Sequence, residues 1–274
     1  METIKNIYYK IQNISFPQTY IKLLKIIFLL SALYFLFYQF KDITFSKYTS
    51  ISISSLLFSL VLLFLATSLF AYSWYLNLGL NSMPSSKIIK YYFQGQLGKY
   101  IPGSIWSIAG RVGLATTTGL SAKEATKKTI IHLLKLWGTC FLVGFATYVS
   151  NIYLYIIFLL LIIFIGVNYK ETFLYLIAWL IIPTSYVLIF LSLGLNNNIE
   201  KIFSSSTLSW LGGFLFIPAP SGIGVREYLF TLIYNNSNVL EELLVVSGAI
   251  RLLTILNDLF GFLIYSALDK FKNE

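Results

Sequence analysis

Apolar runs about 20 residues long are the length a helix needs to cross a bilayer. On that criterion the chain reads as six spans: Ile21–Phe40, Ile51–Leu78, Thr129–Val149, a shorter Ile152–Val167, Phe173–Leu193 and Leu243–Leu268. Two further segments, Lys87–Leu120 and Glu200–Tyr234, are apolar but interrupted by Gly and Pro, and neither reads as one clean span. Irregular backbone at membrane depth is tolerated only when it is buried in protein or lines a wet cavity. Both segments are therefore predicted to be re-entrant hairpins bent inside the protein body.

The resulting fold class is an all-α polytopic membrane protein, a single integral membrane domain over residues 1–274. Each half reads span, span, broken segment, span. The first broken segment begins on the side where the chain starts and the second on the opposite side. Such an order predicts an inverted 3+3 repeat, residues 21–149 and 152–268. Landmarks recur at an offset of about 116 residues: Ile101-Pro102 with Ile217-Pro218, Arg111 with Arg226, Ser121 and Glu124 with Asn238 and Glu241, Lys135 with Arg251. Ser-x-x-Glu and Asn-x-x-Glu before an apolar run are helix N-terminal signals, so each third pair is predicted to start the last span of its half.

Composition supports the membrane reading. The chain is 57% hydrophobic and only 11% charged, against about 25% charged in soluble domains. The first run is too long for a secretory signal and is followed by Lys41-Asp42 rather than a small-residue cleavage site. The +9 net charge does not imply nucleic acid, because no soluble face exists to carry a basic patch. It follows the positive-inside rule instead. Lys5, Lys10, Lys22 and Lys25 precede or open the first span, and Lys87, Lys90, Lys99, Arg111, Lys123, Lys127 and Lys128 fall two spans later. Both termini are thus expected in the cytoplasm, with the chain in the cytoplasmic (inner) membrane.

Charged residues inside the apolar segments are the candidate chemistry, since a charge in the bilayer usually faces a cavity or a partner. Arg111 and Arg226 follow the two predicted bends, which Pro102, Gly103, Pro218, Gly222 and Gly224 would shape. A guanidinium suits phosphate because its planar fork donates paired hydrogen bonds. Half-helix N-termini at the bends would favour anions as well. Two readings of Arg226 stay open: an anionic headgroup site, or, with Glu227, hydrogen bonding to backbone at the bend. Lys128, His132 and Lys135 share one helix face and form a basic stripe, with a buried role expected for Lys135. Arg251 and Asp258 share a face of the last span but are too far apart to bond each other. Asp258 is expected to neutralise a base elsewhere, and Arg251 to seek an acid such as Glu227. The headgroup set is therefore Arg111, Arg226, Lys135 and Arg251, supported by Glu227, His132, Asp258 and Lys99.

One cysteine, Cys140, and one histidine leave no intramolecular disulfide and no multi-histidine zinc site. With no phosphate-binding loop, nucleophile elbow or carboxylate-rich cluster, no metal, no cofactor and no enzymatic activity are expected.

The run Gly98-Lys-Tyr-Ile-Pro-Gly, continuing to Gly110-Arg111 and Thr118-Gly119-Leu120-Ser121, resembles the first signature of the flippase-like transmembrane region of lysylphosphatidylglycerol synthases. Pro218-Ala-Pro-Ser-Gly-Ile-Gly-Val-Arg226-Glu227 resembles the second and more specific one. The resemblance runs from Ile21 to Leu268. Two departures stand out: Ser221 occupies a usual Gly position, and His132 and Lys135 replace an acidic-basic pair. What it implies is a stand-alone lipid translocase without the aminoacyl-transferase domain. Such a protein would move an anionic phospholipid or a lipid-linked glycan precursor between leaflets, beside lipid- or glycan-assembly enzymes. A transporter of a small soluble anion, or a non-catalytic membrane subunit of such an assembly system, are the alternatives.

Overall fold

The computed structural model describes residues 52–80, 83–100, 105–151, 153, 155–158, 160–161, 164, 169–195, 198–216 and 219–271. All regular structure among the described residues is helical. The order is α1 (Ile53–Leu78), α2 (Ser85–Leu97), α3 (Trp106–Thr116), α4 (Ala122–Val149), α5 (Lys170–Ser192), α6 (Ile199–Leu215), α7 (Val225–Tyr234) and α8 (Leu240–Phe271). A long helix, two short ones and a long one therefore occur twice in succession.

The long helices α1, α4, α5 and α8 are long and apolar enough to cross a membrane. They correspond to the predicted spans at Ile51–Leu78, Thr129–Val149, Phe173–Leu193 and Leu243–Leu268. The span at Ile21–Phe40 lies outside the described residues, and the one at Ile152–Val167 is described only in part. The Gly/Pro-broken segments each become two shorter helices with a bend between them.

Local chemistry fixes the ends. Ser52 caps α1 by accepting from the Ser55 amide, and α1 closes on Gly79 at φ +67°, a left-handed C-cap that glycine adopts without a Cβ clash. Ser121 caps α4 through the Glu124 amide at 3.2 Å, as predicted. The matching signal at Asn238 is a correction: Asn236 accepts from the Asn238 amide, and a 3-10 turn over Ser237–Val239 precedes α8. An extra turn inserted before the long helix moves the cap two residues upstream. Asn198 caps α6 through the Lys201 amide.

Packing is antiparallel at three interfaces. On α1 and α5, Ser59 donates to the Ser185 carbonyl and Ser73 to the Glu171 carbonyl, early with late and late with early. On α2 and α8, Lys90 meets Asp269 and Lys99 meets Asp258. On α4 and α6, Trp137 packs on Phe214, and a Cβ on Gly144 would lie 2.6 Å from Thr207 Oγ1 and 2.7 Å from Leu208. A Cβ on Gly261 of α8 would lie 2.1 Å from the Phe93 ring of α2. Small residues let helices approach closely where lipid supplies no hydrophobic drive for their association. Helix α6 adds buried Ser204, Ser205, Ser206, Thr207 and Ser209, whose hydroxyls bond carbonyls one turn back along their own helix.

The outward faces are apolar: Leu57, Phe58 and Val61 on α1, Leu134, Phe141 and Phe145 on α4, Leu252, Leu259, Phe260 and Leu263 on α8. Contiguous exposed hydrocarbon on that scale is incompatible with water and matches a lipid boundary. The chain is a multi-pass α-helical membrane protein.

Candidate functional site

Arg111 sits in the middle of α3 and is fully buried. Its Nε donates to the Ser107 carbonyl at 3.1 Å, and its Nη1 lies 3.1 Å from His132 Nε2. A guanidinium only donates, so Nε2 accepts and the imidazole proton sits on Nδ1. That proton points to Tyr175 Oη at 2.5 Å, which also accepts from Asn77 at 3.1 Å. His132 is thereby a neutral bracket holding Arg111. The Arg111 guanidinium lies over the Tyr92 ring of α2, 5.0 Å from its centroid, and its stem fills the space where a Cβ on Gly95 would stand.

Arg226 in the first turn of α7 repeats the arrangement. Its guanidinium lies 5.3 Å from the Trp210 ring centroid of α6, and its stem occupies the space beside Gly213. Cation–π stacking of this kind supplies about 2 kcal/mol when desolvated. Neither arginine has a carboxylate partner among the described residues. Arg226 Nε is buried without a hydrogen-bond partner among the described residues.

The remaining charges divide by partner. Lys99 and Tyr100, in the turn after α2, both reach Asp258 Oδ2 at 2.6 Å. Arg251 Nε meets Glu227 Oε1 at 2.6 Å, the pairing expected from the sequence, and its Nη2 reaches the Gly222 carbonyl at 3.4 Å. The other Glu227 oxygen accepts from the Gly224 amide at 2.7 Å. The N-terminus of α7, anticipated as an anion site, is thus occupied by the protein's own carboxylate. Gly222 at φ +69° and Gly224 at φ +82° form that bend, and a Cβ on Gly222 would strike the Gly213 carbonyl at 2.6 Å. Pro102, Gly103 and Pro218 lie outside the described residues.

The predicted basic stripe is divided. Only His132 faces Arg111. Lys128 donates to the Leu78 carbonyl at 2.5 Å, satisfying the C-terminus of α1, where a cation is favoured. Lys135 is partly exposed, bonded to Glu171 Oε2 at 2.5 Å and Asn77 Oδ1 at 2.9 Å. It is not among the residues lining the central cavity.

That cavity, of about 70 Å³, draws lining residues from all eight helices. Lys99, Arg111, Arg226 and Asp258 face it, with Tyr92, Gln96 and Trp210 among the uncharged lining. Three cations against one carboxylate leave two positive charges in excess. A smaller cavity of about 30 Å³ adjoins it, sharing Arg226 and Tyr186 and adding Glu227 and Arg251. Comparison with protein-family models, with curated proteins and with solved structures finds no match.

Sequence reasoning found the arginines but not the aromatic platforms beneath them. A signal for these did exist: Tyr92-x-x-Gly95 and Trp210-x-x-Gly213 repeat an aromatic one helical turn before a glycine. The arrangement provides a positively charged chamber whose two guanidiniums rest on aromatic rings, with no carboxylate partner among the described residues.

Proposed function

We propose that this protein is a flippase-like lipid translocase of the cytoplasmic membrane, moving a lipid with a phosphate-bearing headgroup between leaflets. The observation that carries the reading is Arg226: a cation facing a central cavity with its Nε buried and, among the described residues, no hydrogen-bond partner for that atom and no acid in salt-bridge contact. Leaving a buried donor unpaired costs about 1–3 kcal/mol, an expense that an arriving phosphate oxygen would relieve. The excess positive charge favours an anionic phospholipid or a polyprenyl-linked glycan precursor over a zwitterionic lipid.

We further infer that the halves form an inverted repeat. Support comes from the recurring helix order, from α1 running antiparallel to its counterpart α5, and from the matched glycine contacts of Gly144 and Gly261. The matched stacks of Arg111 on Tyr92 and Arg226 on Trp210 point the same way. The short helix pairs are then two re-entrant hairpins meeting near the midplane, with the site between halves that rock to give alternating access. Both termini face the cytoplasm in this reading.

Leaflet exchange of fluorescent anionic phospholipid in proteoliposomes tests it. Arg226→Ala is expected to slow exchange about tenfold or more, the loss of one charge-assisted hydrogen bond at the site. Arg226→Lys keeps the charge but not the fork and should remain well below wild type; full activity would remove the bidentate role. The second reading, transport of a small soluble anion, is favoured by the size of the central cavity, which is on the scale of a few waters. Uptake of radiolabelled phosphate by vesicles in which no lipid exchange occurs would select it.

A further inference from the structure

We propose that the face between α1 and α8 is a lateral portal, in which a groove holds the hydrocarbon chain of a membrane lipid while its headgroup occupies the central cavity. The inference rests on the translocase reading and adds to it the lipid's way in.

The groove has a volume of about 230 Å³ and is lined by apolar side chains apart from Asn257 at its inner end. Its walls are Leu60, Val61 and Phe64 on α1 and Phe260 and Ile264 on α8. Both helices are long and apolar enough to span, and Val61, Phe260 and Ile264 are about half exposed. The surface around the groove is therefore hydrocarbon-facing, and the occupant that fits it is an acyl or polyprenyl chain. A soluble anion or a peptide with polar backbone would find no hydrogen-bond partner along the five apolar walls.

Continuity with the charged cavity comes from one residue. Asn257 lines both the groove and the central cavity. It is buried, at 1% exposure, and adjoins Asp258, which faces the cavity. Its Nδ2 donates to Thr67 Oγ1 across the α1–α8 interface at 3.0 Å, and Thr67 also lines the cavity. Asn257 Oδ1 has no hydrogen-bond partner among the described residues. A buried amide with one end tied across an interface and the other unsatisfied adds little as a structural bolt. As a latch it is well suited: parting α1 from α8 breaks this bond and the longer one from Tyr265 to Ser68 at 3.4 Å, and exposes the Asn257 donor and acceptor to a passing polar headgroup. The wall on either side of the latch is polar toward the cavity and apolar toward the lipid, which is the sequence of environments that a lipid presents from head to tail.

The experiment uses the full chain in phosphatidylethanolamine–phosphatidylglycerol vesicles. These carry traces of phosphatidylglycerol or phosphatidic acid bearing a diazirine midway along one acyl chain. After illumination, labelled peptides are mapped by mass spectrometry. Labelling is expected to be severalfold higher on the peptides holding Val61, Phe64, Phe260 and Ile264 than on the exposed Phe141–Phe145 face of α4. It should fall severalfold in Val61→Trp, which fills the groove without touching the cavity. Asn257→Leu, which removes the latch and its orphan oxygen together, should slow lipid exchange severalfold while the melting temperature is unchanged or raised. Uniform labelling of every lipid-facing helix, in vesicles that do exchange lipid, would overturn the portal and leave the translocase standing. Groove labelling in vesicles that exchange no lipid would keep the chain site and remove translocation. An Asn257→Leu protein with wild-type exchange would dismiss the latch.

Discussion

At the scale of single residues, the site separates cations that are neutralised from cations that are only supported. Lys99, Lys135 and Arg251 each have a carboxylate within 2.6 Å, whereas Arg111 and Arg226 rest on aromatic faces. A salt bridge fixes a charge by cancelling it, while a π face fixes it and leaves its field available to a ligand. Glu227 gives this division a stability test. It serves the Gly224 amide with one oxygen and Arg251 with the other. Glu227→Gln is expected to destabilise the protein by up to about 3 kcal/mol, because Arg251, mostly but not fully buried, is left without its carboxylate. The double variant Glu227→Gln, Arg251→Met should recover part of that loss. Thermal unfolding in mild detergent measures both, and an unaltered single variant would mean that Arg251 is solvated from the smaller cavity.

At the scale of elements, Gly144 and Gly261 decide how closely the short helices α6 and α2 approach the long ones. A Cβ at Gly261 would stand within 2.1 Å of the Phe93 ring, whereas nothing lies within 4 Å of one at Gly138. Gly261→Ala is therefore expected to cost about 1–3 kcal/mol by overpacking, since Phe93 is enclosed by other core rings. Gly138→Ala should instead raise stability slightly, by about 0.5–1 kcal/mol, through helix propensity and a less free unfolded chain. Melting temperatures of the two variants should move in opposite directions. The same logic separates the two bends: Gly222 seats against the Gly213 carbonyl, so the turn before α7 is set by backbone contact with α6.

For the whole molecule, the proposed orientation makes a topological prediction. In a Cys140→Ser background, Ser150→Cys at the exposed C-cap of α4 should react with a membrane-impermeant maleimide added to whole cells. Ser121→Cys at the other end of the same helix should react only after the membrane is opened. The reverse pattern would invert the orientation and, with it, the side from which the site is loaded. Lipid exchange, portal labelling and this accessibility test together determine whether the charged cavity serves leaflet exchange.

The amino-acid pattern alone determined the membrane-spanning class, the four long helices that are described, the breaks between them and the Ser121 cap. Each of these depends on residues close in sequence: hydrophobic length, Gly and Pro backbone preferences, and a hydroxyl three residues from an amide. The intramembrane arginines were legible too, because a charge in an apolar run is conspicuous wherever it folds. Partners were mostly not. That Lys135 turns to Glu171 while Arg226 has no acidic partner among the described residues, that His132 brackets Arg111, and that Asn257 bridges a groove and a cavity depend on which helices abut. Only the tertiary packing decided these, since the residues of each pair are tens to nearly two hundred positions apart and their meeting is set by close approach at glycine and by the antiparallel packing of the helices.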